Sequence, residues 1–179
     1  IETSPQEGDC FLKCLTKGDL STLSWVRGAL NPNHINNARL SYCSLNFKDL
    51  MIALGRITAN VELNRIDEQR ALGVEWSGVA NDGRRLFGLP FGGALATVAD
   101  MTVVPPLEVP SNWTLEEAAT VPIIYFTVYT AFFVNASIKS GETVLIHSGA
   151  GGVGQAALYV AFGYGLEVFT TVGSAEKRE

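Results

Sequence analysis

The chain has 179 residues, 47% of them hydrophobic, enough to bury the core of one domain or of one and part of a second, and too apolar for a disordered segment. Thirteen Lys and Arg against eighteen Asp and Glu leave a formal charge of -5, which supplies no overall positive field and excludes nucleic acid and anionic membranes as expected partners. No apolar run approaches the roughly 18 uninterrupted residues of a membrane span, so the sequence predicts a soluble chain with no membrane partner.

Ile1 rather than Met opens the sequence, and a nucleotide-binding fold is barely begun where it stops; the expectation is a piece of a longer chain. Cys10, Cys14 and Cys43 are odd in number and lack a zinc-ribbon or paired-thiol spacing, which points to reduced thiols and a cytoplasmic location. The triplets at Asn112 and Asn135 match the N-glycosylation pattern, which a cytoplasmic chain does not use.

Up to about residue 110, short β-like runs alternate with turns. The run "ARLSYCSLNF" leads into a helical turn, "FKDLMIALG". The runs "LGVEWSGVA" and "RRLFGLP" flank "NDG", a hairpin signal because Asn, Asp and Gly accept positive φ at little cost. "GALATVADMTVVP" continues in the same style, so the sequence predicts a compact β-rich unit, a partly open barrel. Near Pro110 the character changes. Thr114 with Glu117 three residues on has the capping-box spacing that satisfies free amides at a helix start. Pro122 ends or restarts a helix, and Tyr125, Phe126, Tyr129, Phe132 and Phe133 recur at helical spacing, which predicts core packing.

After "SIKSGE" the pattern becomes strand, glycine loop, helix, strand. Thr143 to His147 reads as a buried strand, and Gly149, Gly151 and Gly154 follow with dinucleotide-loop spacing, Gly152 being an extra. The first glycine permits the tight turn, the second lets backbone approach a pyrophosphate, and the third lets the next helix pack closely. The helix from about Gly152 offers unpaired amides and its positive dipole end to phosphate. The alternative is a close-packed glycine turn with no ligand. A free ribose 2′-hydroxyl is gripped by Asp or Glu about 20 residues beyond the glycines, and no acid stands there. Gly173 and Ser174 leave room instead, and Lys177 and Arg178 offer charge-assisted bonds to a 2′-phosphate, although Glu176 would repel it if turned inward. The expected cofactor is NADPH, with the solvated start of a helix as the plain alternative for the Lys-Arg pair.

A β-rich unit followed by a dinucleotide fold resembles the medium-chain dehydrogenase/reductase superfamily. That resemblance implies a GroES-like, partly open barrel over residues 1-125 and the start of a Rossmann α/β domain over 126-179. Zinc alcohol dehydrogenases of the superfamily carry a Cys before an Asp and a Gly-His-Glu sequence; here the stretches are "NFKD" and "GVE". Asn46 and Val74 stand where thiolate and imidazole would, and neither can replace a catalytic zinc ligand, so no metal is expected. Without a Lewis acid for a developing alkoxide, reduction of an activated C=C fits better than alcohol oxidation.

"YCSLNFKDLMIALG", "LGVEWSG", "VPSNWTLEEAATVP" and "GETVLIHSGAGGVGQAA" with "VFTTVGSAEKR" are similar to the enoyl reductase domain of animal-type fatty acid synthase. "GRITANVELNRIDEQRA" and "FGGALATVADMTVVPPLE" match it only loosely, as lineage differences or substrate-channel loops would. The resemblance implies reduction by NADPH of a trans-2-enoyl chain on acyl carrier protein, beside other synthase domains in a homodimer. It assigns Gly149, Gly151, Gly152, Val153 and Gly154 to the pyrophosphate and Ser174, Lys177 and Arg178 to the 2′-phosphate. Asn46 and Thr130 would lie near the nicotinamide. Asn46 before "FKDLMIAL" is equally a helix N-cap, Tyr42 reads as structural, and no catalytic acid is assigned. A freestanding quinone or enone reductase, and a non-catalytic NADPH-binding scaffold, share all these features.

Overall fold

The computed structural model describes residues 8-57, 70-90, 93-102 and 104-178. Most of "GRITANVELNRIDEQRA", and three positions of "FGGALATVADMTVVPPLE", lie outside the described residues. The chain divides into two compact units between Pro122 and Ile123.

In the first unit β1 (Cys10–Cys14) and β2 (Leu23–Arg27) form an antiparallel pair, Leu12 opposite Trp25. The remaining strands are β3 (Asn37–Tyr42), β4 (Trp76–Ala80), β5 (Arg85–Gly88), β6 (Val98–Asp100) and β7 (Leu107–Glu108), arranged antiparallel in the order β6-β3-β4-β5-β7. The "NDG" reading holds: Gly83 takes φ 88° and donates to Ala80 O at 3.0 Å, and Arg84 O accepts from Ala80 N at 2.9 Å. A hairpin loop that ends on a left-handed glycine is compatible with the twist of its strands. Ala38, Trp76, Ala80, Leu86, Ala94 and Ala99 form the core on this sheet, with small residues letting the strands' faces close on Trp76.

The shift in pairing between Leu40 and Tyr42 bends β3 and hands the chain to α1 (Phe47–Ala53). Helix α2 (Leu115–Ala118) is held by the expected capping box: Glu117 N donates to Thr114 Oγ1 at 3.2 Å and Thr114 N to Glu117 Oε2 at 2.8 Å. Ser77 Oγ donates to Leu115 O at 2.5 Å, and Ala118 packs with Phe87 and Val109, which fastens α2 to the sheet.

Pro122 restarts the helix as the first residue of α3 (Pro122–Tyr129), where its missing N–H costs nothing. A π-helical turn, Thr130–Asn135, follows. The aromatic stripe runs across both segments, with Tyr129 and Phe133 in ring contact at 5.1 Å between centroids. Phe132 is buried with Tyr125 and Phe133 packed against its cluster, whereas Phe126 and Tyr129, both in α3, are 44% and 59% exposed, so the stripe is only partly core. Leu115–Asn135, at 21 residues and mean hydropathy 1.4, is long and apolar enough by length and composition alone to cross a membrane, contrary to the expectation that no such run exists. The run comprises α2, a turn over 119–121 and the helix that Pro122 restarts, and its Val128 and Phe132 pack in a core.

The second unit then builds β8 (Thr143–Ile146), α4 (Gly152–Gly163) and β9 (Glu167–Thr170), with β8 and β9 parallel and Thr143 opposite Glu167. Val128, Phe132, Ile146, Ala156, Ala157, Ala161 and Leu166 form its core. The expected burial of β8 is only half right: Ile146 is buried but Leu145 is 59% exposed, because α4 covers one face of a sheet that has two strands here.

Candidate functional site

The glycine loop joins the C-terminal end of β8 to α4. Its strained residue is not a glycine: Ser148 takes φ 59°, the left-handed region that an L side chain enters at a cost of about 1 kcal/mol. Ser148 N donates to Thr171 Oγ1 at 3.3 Å and Gly149 N to Thr171 O at 2.9 Å, which pins the loop to the end of β9. Each glycine meets a different requirement. A Cβ at Gly154 would stand 2.3 Å from Ser148 O and 2.7 Å from the Gly149 Cα, so the helix start rests directly on loop backbone. At Gly149 a Cβ would lie 2.2 Å from Thr170 Oγ1, so packing against β9 rather than turn conformation demands glycine there. Gly151, the N-cap of α4, has φ -81° and ψ 165°, open to any residue, and its Cβ would meet only Ser148 O at 3.3 Å. The fold constrains position 151 less than 149 or 154: a Cβ there needs Ser148 O to give by a few tenths of an ångström and leaves the backbone dihedrals unstrained.

A cavity of about 660 Å³ adjoins the loop, and Gly149, Ala150, Gln155, Thr171, Lys177 and Arg178 are among its lining residues. Lys177 and Arg178 sit on a 3-10 turn, Ala175–Arg178, opened by Ser174, whose carbonyl accepts from Lys177 N at 3.3 Å. The structure therefore brings Gly149, Lys177 and Arg178 onto one concave surface, with Ser174 on the adjoining backbone and no carboxylate in the lining among the described residues. Gly152, Val153 and Gly154 form the first turn of α4, whose amides have no intrahelical acceptor. Of the residues predicted to meet phosphate, Gly151, Gly152, Val153, Gly154 and Ser174 are not in the lining of this cavity; the helix-start amides lie next to it in the chain, and a diphosphate fits a path from those amides to the two cations.

In the first unit Asn46 is the N-cap of α1, and its backbone N donates to Asp49 Oδ2 at 2.9 Å. Its side-chain Nδ2 donates to Ser44 Oγ at 2.9 Å and to Glu75 Oε1 at 3.0 Å, and Ser44 Oγ also bonds Glu75 Oε1. Glu75 is 2% exposed, next to buried Val74. Sequence reasoning passed over Glu75, although an acid inside the apolar run "LGVEWSGVA" was a visible signal. Thr130 opens the π-helical turn. Tyr42 is 42% exposed, and Glu116 close by raises the phenol above its ordinary range while the phenol lowers the carboxyl below its own.

Cys43 lies beside this cluster, where burial, followed by the charges of Asp49 and Glu75, pushes the thiol up to about 12. The folded value lies above the ordinary 9.0, so the stability it reflects is intact below pH 9 and is lost as pH rises toward 12. At pH 8 Cys43 is expected to react with iodoacetamide at least about tenfold more slowly in the folded protein than in urea, because the thiolate is the nucleophile. Mass mapping of the alkylated chain checks this, and equal rates would contradict the assignment.

No family model matches the sequence. The squalestatin hexaketide synthase of Phoma sp. is 34% identical over 190 aligned positions, covering 99% of this chain and 7% of that synthase. Among solved structures, the CurK enoyl reductase superposes with a TM-score of 0.79 at 30% identity, over 96% of this chain and 56% of that one. The chain is an enoyl-reductase-like domain of the medium-chain dehydrogenase/reductase superfamily. The quinone oxidoreductase of Thermus thermophilus, solved also in complex with NADPH, aligns with a TM-score of 0.76 at 29% identity, over 94% of this chain and 55% of that one. The superfamily fold explains the two units: a GroES-like β-rich part and the first strand, helix and strand of a Rossmann part. The chain thus spans about half the length of these reductases and 7% of the synthase. The squalestatin hexaketide synthase and the reducing polyketide synthase hmp8 of Hypomyces subiculosus, 34% identical over the whole of this chain and 8% of that synthase, are polyketide synthases, so the resemblance is supported at the level of the enoyl reductase domain and not specifically for fatty acid synthase.

Proposed function

We propose that this domain binds NADPH and reduces the double bond of a trans-2-enoyl thioester carried on acyl carrier protein, as one part of a multifunctional synthase. The observation that carries the reading is the cavity shared by the glycine loop, Lys177 and Arg178, with no carboxylate among its described lining residues to select a free 2′-hydroxyl. Gly151 admits the diphosphate, the amides of Gly152, Val153 and Gly154 receive it, and Lys177 and Arg178 with Ser174 neutralise the 2′-phosphate. Bound NADPH supplies the hydride for the β-carbon, while a proton reaches the α-carbon. Asn46, held by Glu75 and Ser44, and Thr130 are the residues we assign to the nicotinamide side.

Lys177→Ala is expected to weaken NADPH binding about tenfold or more while changing NADH binding less than about twofold, since only NADPH carries the phosphate that Lys177 meets. Equal losses in a calorimetric titration of both would overturn the 2′-phosphate assignment. Reduction of crotonyl thioester by the full-length protein, compared between the two coenzymes, tests the reaction itself.

The parent synthase makes a polyketide, as the curated relatives support, or a fatty acid, as the sequence motifs suggest; the product released by the purified synthase decides. A second reading, a quinone or enone reductase without a carrier protein, is supported by the Thermus quinone oxidoreductase. Turnover of a free quinone at rates above those for carrier-bound enoyl substrate would favour it. We further place the protein in the cytoplasm, where free Cys10, Cys14 and Cys43 would stay reduced, and, from the synthase resemblance alone, in a homodimer; fractionation and sedimentation test the two.

A further inference from the structure

Gln155 stands in the first turns of α4 but faces back toward the loop, where its Nε2 donates to Ala150 O at 3.0 Å. The other side of the same peptide plane is also fixed, because Gly151 N donates to Ser148 O at 2.9 Å. The Ala150-Gly151 peptide is therefore held at both its oxygen and its nitrogen by groups of this chain. The next peptide is fixed through its carbonyl, as Gly151 O accepts from Gln155 N at 2.8 Å. One residue thus grips two successive carbonyls of the loop, one with its side chain and one with its backbone. Gly149 N is committed to Thr171 O at 2.9 Å, and the amides without an intrahelical acceptor are those of Gly152 and Val153, which are exposed, and of Gly154, which is buried against the loop.

We propose that Gln155 is a positioning residue that sets the orientation of the loop's peptides, so that a diphosphate meets the amides of Gly152, Val153 and Gly154 and is not opposed by the Ala150 carbonyl. This rests on the reading that the loop holds NADPH. Without Nε2 the Ala150-Gly151 peptide keeps one restraint, the bond from Gly151 N to Ser148 O, and its carbonyl can tilt toward the cavity that Ala150 and Gln155 both line, where a carbonyl dipole repels phosphate oxygen. Gln155 is exposed, and a long exposed side chain loses rotamer freedom when it is held in one bond, so the contact adds little to the fold. Its effect is on the shape of the cradle.

The test uses the full-length protein with Gln155→Met, which keeps length and helix propensity and removes the donor, and Gln155→Ala as a second variant. The dissociation constant for NADPH is expected to rise about tenfold in both, while that for adenosine 2′-monophosphate, which has no diphosphate, stays within about twofold. A structural role alone would move both ligands together or neither, and either result would overturn the proposal, as would unchanged NADPH affinity. If the unaltered protein binds adenosine 2′-monophosphate but not NADPH, the diphosphate cradle falls while the 2′-phosphate site stands. If it binds neither, the NADPH reading fails and takes this proposal with it. A thermal midpoint within about 3 °C of the parent identifies a folded variant; should Gln155→Met fall outside it, the Ala variant decides.

Discussion

Gly154→Val is expected to destabilise the second unit by about 3 kcal/mol and to abolish NADPH binding, whereas Gly151→Val should abolish binding with a change in stability under about 1 kcal/mol. The difference follows from what each new Cβ would meet. At Gly154 the neighbours within 3 Å are Ser148 O and the Cα and C atoms of Gly149, all backbone. They cannot retreat, because Thr171 holds Ser148 and Gly149 from the other side through its hydroxyl and its carbonyl. Helix α4 would have to lift off the loop, and Ala156, Ala157 and Ala161 would leave the core they share with Ile146 and Leu166. At Gly151 the Cβ would come near Ser148 O alone, at 3.3 Å, and otherwise project outward. Urea unfolding and a fluorescence titration with NADPH measure the two quantities separately. NADPH affinity retained in Gly151→Val would remove the diphosphate from the loop, and unchanged stability in Gly154→Val would show that α4 does not rest on it.

The parts of this fold that were legible in the sequence are those whose cause is local. "NDG" made a hairpin because Gly83 takes the left-handed conformation between two strands, and Thr114 with Glu117 capped α2 because both bonds lie within one turn. The strand, glycine loop, helix and strand were equally readable, since Gly154 is required by backbone only five residues away. What escaped notice depends on residues that meet through space. Glu75 acquires its role from Asn46 and Ser44, which reach it across 29 and 31 positions of sequence. The left-handed Ser148 gave no signal, because the glycine beside it drew the assignment that its own backbone fulfils. The π-helical turn at Thr130–Asn135 has no residue pattern of its own, and helical spacing alone did not separate the packed Tyr125, Phe132 and Phe133 from the exposed Phe126 and Tyr129. The site divides in the same way: the loop and its cations follow from spacing, whereas the hydrogen bonds that orient Asn46 and Ala150 do not.

Arg70→Met is the second large effect, expected to cost the first unit about 3–5 kcal/mol by leaving a buried carboxylate without its cation. The Asp9 side chain is 0% exposed and that of Arg70 14%, with Nη1 to Oδ2 at 2.5 Å. The same Oδ2 accepts from Leu30 N at 3.0 Å, while Arg70 Nη2 donates to Val98 O at 2.7 Å and the guanidinium lies 5.1 Å from the Phe11 ring centroid. One ion pair thereby fastens the start of β1, the chain after β2 and strand β6. Water has little access to replace the guanidinium, because Gly28 closes over the pair so tightly that a Cβ there would fall 1.9 Å from Asp9 Oδ2. Arg70→Met fills the volume over Phe11 but provides no charge, so the loss reports the stranded anion rather than lost packing. Asp9→Leu combined with Arg70→Met should therefore recover most of the loss, since an apolar pair of similar size carries no desolvation penalty. Urea unfolding of the two single variants and the double variant gives the coupling directly. A loss below about 1 kcal/mol in Arg70→Met, or strict additivity in the double variant, would mean that the Asp9 charge is met by solvent and that the clamp is not what joins these segments.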